Sequence, residues 1–158
     1  MKKRYIAGII LIIFVVYCIQ QNISHKNGYK LFVENRQKWS LLKIEQYQYS
    51  IKNYGDCFTY YYDTISIVEN GNYLKTDEQL NYRMADEYLT INNIFDEIEK
   101  KYTWCEKDLF KGITYKINIQ YDETYHFPKN VKYSWILIPF VTDIGTHYGY
   151  EINNFIVK

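Results

Sequence analysis

The side chains best suited to chemistry in this sequence are three histidines, three cysteines and a few acidic pairs. His25, His126 and His147 are scattered, without the H-x₃-H or H-E-x-x-H spacing that brings two imidazoles to one metal. His126 with Asp122, or His147 with Asp143, would make a ligand pair only if their loops converged. Exposed loop histidine is the plainer account. A serine or cysteine nucleophile needs a strand-to-helix elbow beside a base, and the glycines supply neither G-x-S-x-G nor a phosphate-cradling loop. Asp56 and Asp63 flank an aromatic stretch and Asp122-Glu123 opens a loop, but such spacing suits turns and solvated edges better than a general acid. The expectation is a protein that is not an enzyme and carries no cofactor and no metal.

The cysteines point to a compartment rather than a reaction. A C-x-x-C redox pair is absent. Cys18 lies in an apolar run, which leaves Cys57 and Cys105 as the pair available outside the cytoplasm, where disulfides persist. A bridge closing about 48 residues would stabilise the fold by roughly 4 kcal/mol on the chain-entropy estimate. Two separately buried thiols are the other reading. The 19 tyrosines, among them Tyr60-Tyr61-Tyr62, Tyr47, Tyr49, Tyr148 and Tyr150, admit two accounts as well. A tyrosine-rich sheet face can bind a partner through rigid amphipathic rings, and tyrosine is also simply a good strand residue. With 19 Lys+Arg against 18 Asp+Glu and no basic cluster beside the rings, nucleic acid is not the expected partner.

The elements that must position these residues begin with a leader. Lys2-Lys3-Arg4 precedes Tyr5 to Ile19, a stretch without charge, and the next charge is Lys26. That pattern gives residues 1–24 as a signal anchor or signal peptide, residues 25–30 as a short polar linker, and residues 31–158 as one extracytoplasmic domain. Three fates compete for the leader. An uncleaved single-pass anchor needs no processing site. A lipoprotein would be cut before Cys18, where Tyr17 stands in place of a small residue. A secreted protein would need an A-x-A-like site, and none follows the run. All three leave the N-terminus in the cytoplasm and the remainder in the envelope beyond it.

Within the domain, apolar spacing predicts a helix over 30–43 and then a change to period two at Tyr47, Tyr49 and Ile51. A turn is expected at Asn53-Tyr54-Gly55-Asp56, a second strand from Cys57 to Val68, a hairpin at Asn70-Gly71 and a short return strand over 73–75. Residues 75–88 read as a polar surface excursion. Thr90 should cap a helix whose stripe is Ile91, Ile94, Phe95, Ile98 and Tyr102, with Asp96/Lys100 and Glu97/Lys101 paired on its outer side. Strands follow over 113–121, 131–138 and 148–157, the last with a bulge at Asn153-Asn154. Residues 122–130, with Pro128, form a loop. The order α-β-β-β-α-β-β-β predicts an α+β fold: one antiparallel sheet of about six strands with both helices on one face.

Four segments resemble an uncharacterised family of bacterial exported and lipoprotein domains of unknown function. They are a tryptophan-bearing helix leading to Tyr47-Gln48-Tyr49-Ser50 and Cys57-Phe58; the strand Ile65 to Gly71; the opening Thr90-Ile91 with Phe95 and Ile98; and Tyr121-Asp122-Glu123-Thr124-Tyr125-His126-Phe127-Pro128. Thr59 stands where members resemble Cys-Phe-Cys, and His126 stands in place of a glycine. The resemblance implies an envelope location and singles out Tyr121, Asp122, Tyr125 and Pro128 as a family-like loop. Taken together, these features lead us to expect a membrane-tethered, non-enzymatic domain that binds or protects something outside the cytoplasm, with the membrane and a protein as partners. The alternatives are an immunity-type protein that blocks a toxin, or a hydrolase using Asp122 and His126.

Overall fold

In a computed structural model the chain is described over residues 2–55, 63–74, 90–107, 114–135 and 147–158. The elements run α1 (Lys2–Leu42), β1 (Tyr47–Gly55), β2 (Asp63–Glu69), β3 (Asn72–Leu74), α2 (Ile91–Glu106), β4 (Tyr115–Tyr121), β5 (Pro128–Trp135) and β6 (His147–Val157). This is the expected α+β order. The strands form one sheet in the order β3-β2-β1-β6-β5-β4, and every neighbouring pair is antiparallel. The sixth strand in sequence therefore lies in the interior of the sheet, between the first and the fifth.

Sheet register explains the one-sided core. Ile51 pairs with Ile152, Tyr150 with Val131, and Val131 with Ile119, so period-two alternation puts these side chains on one face. That face is covered by both helices, and Phe32, Trp39, Ile94, Phe95 and Ile98 are buried with it in a single cluster. Lys116, Asn118, Gln120 and Lys132 on the other face are exposed. The expected bulge is present. Gln48 pairs with Ile156 but Ser50 with Asn153, which leaves one extra residue in β6, and Asn154 takes φ 53°. At the β2–β3 hairpin, Asn70 (φ 50°) and Gly71 (φ 73°) supply the two positive φ values that such a two-residue turn requires.

Thr90 caps α2 as its residue type predicts, its hydroxyl accepting a hydrogen bond from the Asn93 amide. The predicted stripe is the buried face, extended by Cys105. The expected outer side differs twice: Glu97 pairs with Lys101 but is buried, and Asp96 turns to Arg36 of α1 rather than to Lys100, Arg36 also holding Glu99 at 2.6 Å. Cross-helix geometry wins here because the guanidinium fork reaches two carboxylates at once.

Three boundaries differ from the sequence reading. Residues 25–30, expected as a linker, are helical, so the apolar run and the domain's first helix are one continuous element. Their polarity does not break the helix because they have tertiary partners: the rings of His25 and Tyr29 lie 5.1 and 5.3 Å from that of Tyr102. The stretch 53–55, expected as a turn, extends β1 because β6 offers Tyr150, Gly149 and Tyr148 as pairing partners. Pro128 opens β5 instead of lying in the loop, at the first strand position, where its missing N–H is tolerated. The predicted excursion 75–88 and the end of the predicted strand at 136–138 lie outside the described residues.

Candidate functional site

α1 and α2 are antiparallel neighbours, shown by Trp39 with Asn92, Arg36 with Asp96 and Glu99, Phe32 with Phe95, and His25 with Tyr102. The domain therefore has one end beside the apolar run and one end away from it. Each end carries an aromatic group.

The family-like loop closes the far end. Asp122 accepts hydrogen bonds from the Thr124 and Tyr125 amides at 2.9 and 2.8 Å, an Asx turn, while its own amide donates to the Phe127 carbonyl. The turn drives Phe127 into the core and sets Tyr125 against Phe155, ring centroids 5.2 Å apart. Phe127 and Phe155 lie 4.4 Å apart, and Trp39 meets both edge-on. The Trp39 indole donates to Asn92, and the Tyr47 hydroxyl accepts from the Ile91 amide, so two rings of this cluster hold the first turn of α2. Burial pushes the Tyr47 phenol up to about 12. Tyr121 is raised as well by burial, and its hydroxyl has no hydrogen-bond partner among the described residues. The structure thus brings Tyr121, Asp122, Tyr125 and Pro128 into one loop: Tyr121 pairs with Pro128, and Tyr125 joins through Phe155 the ring cluster whose Trp39 and Tyr47 lock the α2 N-terminus. His126 stands at φ 63°, the left-handed backbone that explains why a glycine suits this position.

Cys105 is buried near the end of α2, whereas Cys57 lies outside the described residues, so the expected pairing is not described. Cys18 is on α1 within the apolar run and half-buried. No group of three or more His, Cys, Asp or Glu is placed to hold a metal among the described residues.

A more ligand-like arrangement lies at the near end, where residue spacing did not point. Trp104 of α2, Tyr115 of β4, Trp135 of β5 and Tyr148 of β6 line a groove of about 430 Å³ with Glu97, Lys100 and Lys101. The rings brace one another: Trp104, Tyr115 and Trp135 meet edge to face with centroids 4.9–5.3 Å apart. The Tyr115 and Tyr148 hydroxyls share a 2.5 Å hydrogen bond, and burial followed by that bond raises the Tyr115 phenol far above its ordinary value. Glu97 is a buried carboxylate, its side chain 6% exposed, held by Lys101 at 3.0 Å and Lys100 at 3.7 Å. An apolar concavity with a few fixed polar groups is the general form of a small-ligand site. No spacing in the sequence points to it, since on the helix Glu97 falls about 60° outside the arc that carries Ile91, Ile94, Phe95 and Ile98.

A protein-family model, described as a family of unknown function (DUF6174), matches residues 31–136. The match begins on α1 past the apolar run and takes in the lock except Phe155 and three of the groove's four rings, Trp104, Tyr115 and Trp135. Searches of curated proteins and of solved structures find no match. Since the matched stretch is well over half of the chain, the protein belongs to DUF6174, a family of unknown function.

Proposed function

We propose that the chain is a membrane-tethered, non-enzymatic domain of the cell envelope that binds a ligand outside the cytoplasm through the groove at its near end. The observation that carries the tether is the continuity of α1. This helix has a stretch long and apolar enough to cross a membrane, a test that a signal sequence also passes. The chain does not break after that stretch. Gln21, Ser24 and His25, the next turns of the same helix, already line a contact with Tyr102, Tyr115 and Ile117. Removing a signal peptide, or cutting before Cys18, would have to open a helix in its middle. With Lys2-Lys3-Arg4 retained in the cytoplasm, residues 31–158 lie on the other side.

Binding rather than catalysis fits the groove because its polar groups are committed to one another: Glu97 to two lysines, and the Tyr115 hydroxyl to Tyr148. The test is a reporter fused after Lys158 and active only outside the cytoplasm, combined with alkaline extraction of membranes. Activity on an alkali-resistant product of full length supports the reading. Activity confined to the cytosol overturns it.

A further inference from the structure

His25 is a titratable group that neither the groove nor the far-end lock uses. It sits on α1 just past the apolar run, where the helix first meets the domain. Its ring lies edge-on to that of Tyr102, centroids 5.1 Å apart. Its Nε2 is buried and has no hydrogen-bond partner among the described residues. With Gln21, Ser24, Tyr102, Tyr115, Lys116 and Ile117 it lines a cavity of about 20 Å³ between α1, α2 and β4. That space admits one water and no hydrated counterion.

The three elements around the ring bring it little charge. α1 contributes the neutral Gln21 and Ser24, with Lys26 next in the chain and exposed, while Tyr29 reaches Tyr102 from the following turn. On α2, burial raises the Tyr102 phenol above its ordinary range, Cys105 is a buried thiol one turn on, and Glu106 is an exposed carboxylate. β4 adds the Tyr115 phenol, raised likewise by burial, and the exposed Lys116 ammonium. Glu106 and Lys116 act on the ring in opposite senses, and water screens both. Charging the imidazole would therefore make Nε2 a cationic donor with no acceptor. Burial accordingly lowers His25 below its ordinary value, and the opposing pull of Glu106 is the smaller effect.

We infer that His25 is a proton-sensitive latch between α1 and the domain: neutral, it lets residues 21–28 seat against Tyr102 and β4, and protonated, it loosens that seat. In a released segment the ring would titrate near its ordinary value of about 6.5. The seated ring binds the proton more weakly, so seating is at full strength above about pH 6.5 and weakens as pH falls below it. Phe32, Arg36 and Trp39 hold the later turns of α1 through Phe95, Glu99 and Asn92, which keeps the loosening local. The latch deepens the tethered reading, on which its consequence rests: acid would turn a rigid joint between span and domain into a hinge.

The test titrates the histidine rings of the full chain in detergent micelles by NMR, with His25→Phe identifying the signal. The measurement sums every charge around the ring, those of the connection 108–113 included. The midpoint is expected below about 6.5. In Gly28→Leu, whose side chain would collide with the Tyr102 hydroxyl and lift this part of the helix, it should rise to about 6.5. Each unit between the two midpoints corresponds to a roughly tenfold weaker seat in acid. The indole signal of Trp39, held by Asn92, reports that the variant has folded. Tyr102→Leu, which removes the sheltering ring, takes its place if it has not. A wild-type midpoint at or above the ordinary value, or one that unseating leaves unmoved, would overturn the inference. The intact mass of the membrane-extracted chain decides the tether separately: a chain cut within residues 1–24 overturns it, and a full-length chain leaves it standing whatever the ring does.

Discussion

Gly28 on α1 and Tyr102 on α2 meet so closely that a Cβ on Gly28 would lie 2.9 Å from the phenol oxygen. Tyr102 is 2% exposed and ringed by His25, Tyr29 and Phe32, so its hydroxyl end has little room to yield. The glycine is thus what allows the continuous helix to seat against the domain just past its apolar part.

Gly28→Ala sets two effects against each other. Alanine favours the helix by about 1 kcal/mol, and overpacking against a buried ring costs about 1–3 kcal/mol. A net loss of about 1 kcal/mol is expected in urea unfolding of the detergent-solubilised chain. Adding Tyr102→Phe removes the clashing oxygen, so the double variant should regain at least the single variant's loss. Strict additivity of the two changes would show that the contact is not what makes Gly28 necessary.

Alkaline pH should loosen the fold through its tyrosines. Burial pushes Tyr47 up to about 12, the Ile91 amide pulling it partly back, and raises Tyr102 and Tyr115 above the usual phenol range too. The native state holds these protons more tightly than the unfolded chain, whose phenols ionise near 10. Stability is therefore undiminished below pH 10 and is lost as pH rises from 10 towards 12. Urea melts at pH 8 and pH 11 should differ by a few kcal/mol. Tyr47→Phe should cost about 1 kcal/mol at neutral pH, by orphaning the Ile91 amide, and should flatten part of the alkaline loss.

His126 holds a left-handed backbone at φ 63° that glycine adopts without steric cost. His126→Gly is expected to be neutral or to stabilise by up to about 1 kcal/mol, whereas His126→Val should destabilise, since a β-branched residue tolerates that region worst. Thermal unfolding of the two variants checks the ordering. A marked loss on glycine substitution would mean that the imidazole itself has a role.

Removal of the Asp122 carboxylate should unseat the far-end lock. Asp122→Ala loses two hydrogen bonds to backbone amides and is expected to cost about 1–2 kcal/mol. The effect should be local, read as faster hydrogen exchange at the first turn of α2, which Tyr47 and Trp39 hold from the same cluster.

Much of this architecture was legible because local chemistry and burial agree. Thr90 is a good cap followed by an apolar stripe, Asn70-Gly71 has the residues its turn demands, and Asn153-Asn154 marks the phase change in β6. Residues 25–30 were misread because what keeps them helical lies in Tyr102, more than seventy positions away. The groove was hidden for a related reason. Trp104, Tyr115, Trp135 and Tyr148 come from four elements, and no spacing along the chain announces that their rings share one corner. The loop from Tyr121 to Pro128 stood out in sequence, yet its turn chemistry and ring packing account for its residue types.

The placement of β6 has a consequence for how the protein is made. Without residues 147–157 the remaining strands fall into two separate ribbons, β3-β2-β1 and β5-β4, with no hydrogen bonds between them. A nascent chain emerging N-terminus first would hold both ribbons open, each with an unmatched edge, until this keystone strand arrived. Shielding those edges in the interval would fall to whatever receives the emerging chain.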